Sequence, residues 1–313
     1  MTPRAVGESR IRRAQPPHAH PRRRPLSSDA DTLPPVAELQ ANGITINYED
    51  YGDPEAPAVV LLHGYTSDLR MWRGCLDALT RDYRVLAPDL RGHGRSSSPE
   101  DGDSYTMETY AEDLRCFLDS LEVEICALVG CSFGGMVALQ FAVTWPGRLA
   151  GLVLSDTSAA YQNEAYDEAY RERERRIAAD QEAMARLGSA GLGRRAAATL
   201  ADDFLAQGVR NRYASLSTHG YLGAGRARRE RADLLGVIGA RLTMPVLITT
   251  GDRDEVHGAS LVMAGRLPGA RVVTFKGAAH GIPARLPGPF TAAVLAFLAD
   301  IEEGKPIAGT RTV

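Results

Sequence analysis

The 313-residue chain is long enough for one large α/β domain, or for one domain carrying an insertion, and its 44% hydrophobic content can build a sizeable core. A net charge of −3 argues against a general nucleic-acid binder, no apolar stretch reaches membrane-spanning length, and the N-terminal arginines lack the apolar core of a secretory signal after them. The four cysteines (Cys75, Cys116, Cys126 and Cys131) show neither Cys-x-x-Cys nor Cys/His metal spacing, so a cytoplasmic protein with free thiols is expected.

Residues 1–35 carry seven Arg against Glu8, Asp29 and Asp31, with many Pro and few large aliphatic side chains. Such a segment cannot bury enough apolar area to fold, and it reads as a disordered leader. From Gly43 the pattern changes: Ile44, Ile46 and Tyr48 alternate with Thr45 and Asn47, which predicts an outer antiparallel strand. Residues 58–62 form a continuous apolar run of the kind buried on both faces of a parallel sheet. It ends at His63-Gly64-Tyr65, where the glycine lets backbone approach an oxyanion and the Tyr65 N–H is placed to donate. His63 reads as a packing residue. A helix over 71–79 and a strand over 83–87 follow, then a polar loop in which Asp89, Arg91 and His93 are expected to hydrogen-bond among themselves. Residues 110–121 carry a helical apolar stripe.

Residues 125–129 predict a buried strand, and 135–141 a helix. Between them Gly130-Cys131-Ser132-Phe133-Gly134 must reverse the chain within a few residues. This strand-to-helix turn exposes Ser132 at a helix N-terminus, where free backbone N–H groups favour negative charge. The Cys131 side chain is expected to point back into the sheet as packing. A strand over 149–154 ends at Ser155-Asp156. Strand and helix patterns then stop alternating: 158–239 is rich in helix formers and charge, and reads as a helical insertion, or lid. In it Tyr166, Tyr170, Ile177 and Met184 line one helix face, Leu200 and Phe204 line another, and the charge run 170–176 reads as a solvated face. Tyr161, Tyr166, Tyr213 and Tyr221 can each touch substrate or serve as packing, and Tyr161 and Tyr221 are taken as the candidate substrate contacts. The sheet pattern resumes over 245–251, followed by Asp252-Arg253-Asp254. A last strand over 271–275 leads into Gly277-Ala278-Ala279-His280, and a helix over 290–301 closes the fold. The core is thus 36–157 plus 240–303, the lid 158–239, and the C-terminal tail 304–313.

A serine hydroxyl needs an adjacent base to act as a nucleophile, histidine suits that role near neutral pH, and a carboxylate must hold its far ring nitrogen. Ser132, an Asp and His280 each follow a predicted strand, so one edge of a parallel sheet can gather them. Asp254 is the expected acid; Asp252 and Asp156 are the alternatives.

These motifs resemble the α/β-hydrolase family. His63-Gly64 resembles its oxyanion-hole motif, Asp89-x-Arg91-Gly92-x-Gly94-x-Ser96 the loop after the fourth strand, and Gly130-x-Ser132-x-Gly134-Gly135 the nucleophile elbow. Gly251-x-x-Asp254 resembles the acid turn and Gly277-x-x-His280 the histidine loop. The resemblance covers residues 40–302 and implies a mostly parallel, doubly wound sheet with a helical lid. It implies a Ser132-His280-Asp254 triad, an oxyanion hole from the N–H groups of Tyr65 and Phe133, and no metal or organic cofactor. The substrate it implies is a small carboxylic ester or lactone. The segment from Gly220-Tyr221 through Ala232-Asp233-Leu234-Leu235 to Pro245 is similar to the lid exit of 3-oxoadipate enol-lactonases. Hydrolysis of a carbon–carbon bond in a ring-cleavage diketone uses the same triad and is the alternative activity. A non-catalytic ligand-binding protein is the alternative of another class. Haloalkane dehalogenases and epoxide hydrolases are disfavoured, because those relatives carry aspartate where Ser132 stands.

Overall fold

In the computed structural model the described residues are 37–198 and 200–313. The leader read over residues 1–35 lies outside them. The chain begins with a hairpin, β1 (Ala37–Ala41) and β2 (Ile44–Tyr51), turned at Asn42 and Gly43, whose φ angles of 46° and 76° suit a tight two-residue turn. Next come β3 (Ala58–Leu62), α1 (Arg73–Leu79), β4 (Arg84–Pro88), α2 (Met107–Ser120), β5 (Cys126–Cys131), α3 (Phe133–Thr144) and β6 (Leu149–Ser155). Four helices follow before the next strand: α4 (Glu168–Ala197), α5 (Asp203–Ala214), α6 (Thr218–Glu230) and the short α7 (Ile238–Arg241). The chain then runs through β7 (Val246–Gly251), α8 (His257–Ala264), β8 (Arg271–Phe275), α9 (Ile282–Arg285), α10 (Pro287–Glu302) and β9 (Gly309–Thr312).

The strands form one sheet in the order β1-β2-β4-β3-β5-β6-β7-β8-β9. β1, β2 and β4 pair antiparallel, and from β4 onward every pairing is parallel. The central strands are apolar along their whole length because both faces are covered. Phe117 of α2, Phe141 of α3 and Met263 of α8 pack on one face. Leu79 of α1 and Phe290 and Phe297 of α10 pack on the other, around Trp72. This is the expected doubly wound α/β arrangement. No helix of the described residues is long and apolar enough to cross a membrane.

Three sequence expectations change. Residues 304–313 do not remain a tail after α10, because β9 pairs parallel with β8 and extends the sheet by an exposed edge strand. Its alternating Thr and Arg can face water on an edge, so no apolar pattern announced it. β1 was likewise unexpected: Ala37, Leu39 and Ala41 do alternate with Glu38 and Gln40, but over only five residues and with a single large apolar side chain. In α5 the expected apolar face is absent: Phe204 is 86% exposed, and Ala206 is the buried residue.

Candidate active site

The turn between β5 and α3 is held by close packing. Ser132 caps α3 with φ 53° and ψ −112°, a left-handed conformation that costs an L-residue energy unless its surroundings impose it. Its N–H donates to the Ser155 carbonyl (2.8 Å), and its own carbonyl accepts from Thr157 Oγ1 (2.7 Å) and the Met136 N–H (3.1 Å). A Cβ on Gly134 would sit 2.2 Å from the Leu62 carbonyl oxygen, and one on Gly130 would sit 2.4 Å from the Gly134 oxygen. Only glycine lets α3 lie this close to β3 and β5.

β8 delivers His280 to the same edge. His280 Nε2 lies 3.0 Å from Ser132 Oγ, and Nδ1 lies 2.8 Å from Asp254 Oδ2. The carboxylate favours a proton on Nδ1, which leaves Nε2 as the acceptor of the serine hydroxyl. Asp254 sits in the turn after β7, its other oxygen accepting from the Val256 N–H (3.1 Å). The side chain of Asp254 is 1% exposed against 35% for His280.

The other two acid candidates do not reach the imidazole. Asp252 Oδ1 accepts from the Gly277 N–H at 2.6 Å. Asp156, also in a left-handed conformation (φ 49°), accepts from the N–H groups of Gly281 (3.0 Å) and Ile282 (2.8 Å) through Oδ2. The two carboxylates therefore grip the histidine loop from opposite ends. Burial raises the Asp156 carboxyl to about 6, against the opposing pull of His280, and its Oδ1 is buried with no partner.

Beside Ser132, the backbone N–H groups of Tyr65 and Phe133 donate to no carbonyl among the described residues. Phe133 N–H opens α3, and Gly64 brings the backbone before Tyr65 against Ser132, a Cβ there falling 3.5 Å from Ser132 Cβ. His63 is buried beneath them. Its Nδ1 pairs with the Gly64 carbonyl (2.9 Å), Nε2 accepts from the Leu90 N–H (3.0 Å), and burial pushes it down to about 4. His93, held to the Arg91 carbonyl (3.0 Å), is pushed to about 3 by burial and the neighbouring His63. Of the bonds expected among Asp89, Arg91 and His93, this contact between His93 and Arg91 is present, and the other partners differ. Asp89 binds Asn47 Nδ2 and the N–H groups of Leu69 and Arg95, whereas Arg91 forms a buried pair with Asp113 of α2 (2.6 Å). The Cys131 thiol faces the core, where burial pushes it well above its ordinary value.

Helices α4 to α6 reach across to this edge. The Tyr65 hydroxyl donates to the Tyr221 carbonyl of α6 (2.6 Å) and receives Gln181 Nε2 of α4 (3.3 Å). The ring of Tyr221 packs on that of Tyr65, with centroids 4.8 Å apart. Tyr161 lies farther out, lining a cavity of about 490 Å³ with Tyr166, Tyr170 and Glu174, under the guanidinium groups of Arg228 and Arg231. Arg173 of α4 places Nη2 3.3 Å from His280 Nε2. Reading 170–176 as a solvated face missed this residue and Glu174, both largely buried. A signal existed: positions 173 and 174 fall between Tyr170 and Ile177 at helical spacing, on the stripe already identified as apolar.

A family model described as the alpha/beta hydrolase fold matches residues 57–283. A solved structure of a hydrolase from Pseudomonas aeruginosa PA01 is 32% identical, with a TM-score of 0.70 over 85% of this chain and 99% of its own. A thermophilic esterase from Thermogutta terrifontis is 28% identical, with a TM-score of 0.71 over 85% of this chain and 98% of its own. Mouse epoxide hydrolase 4 is 34% identical over 116 residues, which is 37% of this chain and 32% of that protein. The match thus spans about a third of that curated relative's length. A sheet of this order, with a serine at the β5–α3 turn and a histidine after β8, matched by that model over most of its length, places the chain in the alpha/beta hydrolase fold family.

Proposed function

We propose that this hydrolase-fold protein is a serine hydrolase of small carboxylic esters or lactones, with Ser132 as nucleophile, His280 as base and Asp254 as the acid that orients it. The observation that carries the reading is the chain of contacts from Ser132 Oγ to His280 Nε2 (3.0 Å) and from His280 Nδ1 to Asp254 Oδ2 (2.8 Å). Ser132 attacks the substrate carbonyl as His280 takes its proton, and the unpaired N–H groups of Tyr65 and Phe133 receive the oxyanion. His280 then protonates the leaving oxygen, and water activated by the same histidine releases the acyl group. In this reading the helices over 158–239 act as a cap that closes the site from above. The esterase among the structural relatives supports the ester.

Epoxide opening, named for the mouse relative, fits this site poorly. A carboxylate nucleophile forms an alkyl ester that water can cleave at its carbonyl, whereas serine would form an ether with no carbonyl to attack.

The test is p-nitrophenol release from p-nitrophenyl acetate by the intact chain and by Ser132→Ala. The variant is expected to lose activity by about a thousandfold or more. Activity surviving in Ser132→Ala overturns the mechanism. An intact chain that turns over no ester and takes up no fluorophosphonate label favours a ligand-binding protein.

A further inference from the structure

We propose that the substrate carries a carboxylate on its leaving-group half, and that Arg173 binds it. This rests on the serine-hydrolase reading above. The class of substrate it names is an ester of a 2-hydroxycarboxylate, or a lactone whose ring-oxygen carbon bears a carboxylate.

The argument starts from charge. Arg173 is largely buried, its side chain 12% exposed, and it shares a single carboxylate with a second arginine. Glu174 Oε1 takes Arg173 Nη1 at 3.1 Å, and Glu174 Oε2 takes Arg228 in a close contact. A third arginine, Arg231, meets only neutral oxygens: Ser158 Oγ (2.9 Å), Tyr170 Oη (3.2 Å) and the carbonyls of Ala160 and Arg228. Two guanidinium groups thus share one glutamate, and a third, against the Arg228 carbonyl, has no carboxylate partner among the described residues. The remaining contact of Arg173, at 3.3 Å, is to a neutral imidazole nitrogen that already faces the serine hydroxyl. Neither nearby aspartate hydrogen-bonds it: Asp254 meets His280 and Val256, and Asp156 meets Gly281 and Ile282 through Oδ2. Burial and the neighbouring Arg228 disfavour the cation, against the opposing pull of Glu174 and Asp254. An under-paired buried cation is best relieved by an anion.

Position then selects the half of the substrate. His280 Nε2 must hand its proton to the leaving oxygen, so a donor 3.3 Å from it stands beside that oxygen. Two donors so spaced match two oxygens borne on adjacent carbons, which is the arrangement of a 2-hydroxycarboxylate. The planar guanidinium suits the carboxylate. Binding it also draws Arg173 off Nε2, which frees the lone pair for the Ser132 proton. In the reaction the Ser132 Oγ–acyl carbon bond forms as the acyl carbon–alkoxy oxygen bond breaks, and the serine proton passes through Nε2 to the alkoxy oxygen. Water then cleaves the acyl-enzyme. One ester and one water give one 2-hydroxycarboxylate and one carboxylic acid.

The test measures kcat/KM of the purified full chain for O-acetyl-lactate and its neutral isostere O-acetyl-lactamide. A second pair, monoethyl succinate and ethyl succinamate, moves the carboxylate to the acyl half. The intact protein is expected to favour acetyl-lactate over acetyl-lactamide by about 10- to 100-fold, the worth of a charge-assisted hydrogen bond. Monoethyl succinate should gain less than about threefold over its amide, an inconsequential step on the same scale. Arg173→Met should bring the lactate ratio to about one, mainly through KM, and Arg173→Lys should keep part of it. A ratio is used because loss of fold would lower both substrates together. A ratio of one in the intact protein, a ratio unmoved by Arg173→Met, or a preference confined to the succinate pair overturns the proposal. Turnover of p-nitrophenyl acetate that Ser132→Ala abolishes, without any lactate preference, overturns this proposal alone. Failure to cleave any of these esters overturns both it and the reading beneath it.

Discussion

Asp156 shows how one side chain can couple structure to pH. Its carboxyl is fully buried beside His280 and Asp254 and is raised to about 6, so the folded protein holds that proton more tightly than the unfolded chain does. The sign follows: stability from the protonated form is fully present below the ordinary carboxylate range and is lost as pH rises through about 6. Asp156→Asn cannot ionise, and its amide oxygen can still accept from Gly281 and Ile282. Between pH 5 and pH 8 the variant should gain about 1 kcal/mol relative to the parent, a few °C in Tm. Thermal melts of both proteins at the two pH values check this. A difference that does not change with pH would show that Asp156 stays ionised throughout. His63 and His93, held neutral by burial, contribute hydrogen bonds and packing at neutral pH.

Among the elements, the β5–α3 turn depends most sharply on residue size. Gly134 faces the carbonyls of Leu62 and His63, at 2.2 Å and 2.6 Å from where a Cβ would stand. Backbone atoms at the end of β3 cannot move aside without disturbing Tyr65. Gly134→Ala should therefore cost about 3 kcal/mol or more, read as a fall in Tm or in soluble yield. A variant with unchanged Tm would mean that the turn can relax. α4 shows a different economy. It breaks at Gly188, whose φ of 65° interrupts two helical runs, and its first run turns Tyr170, Glu174, Gln181 and Met184 inward. The stripe is mixed apolar and polar because it covers both core and site. α5 packs against α4, where Tyr213 faces Gly193, and leaves Leu205 and Phe204 on its solvent side.

Across the whole molecule, the insertion is attached to the core by several unlike contacts. Gly92, after β4, and Gly220, in α6, meet backbone to backbone, and a Cβ on Gly220 would lie 1.9 Å from the Gly92 oxygen. Arg226 pairs with Asp103, Arg176 with Glu255 at 2.6 Å, and Arg212 donates to Thr66 Oγ1 at 2.7 Å. Exposed pairs of this kind contribute little each, so the close glycine contact and the buried Tyr65–Tyr221 packing set the seating of α6. Gly220→Ala should lift α6 and deprive Tyr65 of its Tyr221 partner. The expected outcome is a tenfold or larger fall in kcat/KM for p-nitrophenyl acetate, about what an ångström-scale misplacement beside a reacting centre costs, with faster proteolysis within 158–239. Unaltered kinetics would mean that the position of α6 is irrelevant to the chemistry.

Local patterns were enough to reveal the sheet core and the loops that bear Ser132, Asp254 and His280. Continuous apolar runs mark strands covered on both faces, and glycine spacing marks turns where backbones nearly touch, and both are properties of neighbouring residues. Edge strand β9 escaped because an edge exposed to water imposes no apolar alternation, and β1 because its alternation runs for only five residues. The Gly251-x-x-Asp254 turn already pointed to Asp254, but Asp252 and Asp156 also follow strands that end on the same side, so which carboxylate is in reach is shown by the tertiary structure. Only the packing of β7 against β8 decides which carboxylate meets an imidazole 26 positions away. Arg173 lay within a run of charge that looked solvated. Its burial against His280, 107 residues later, follows from where the insertion folds back over the sheet, which no local pattern records.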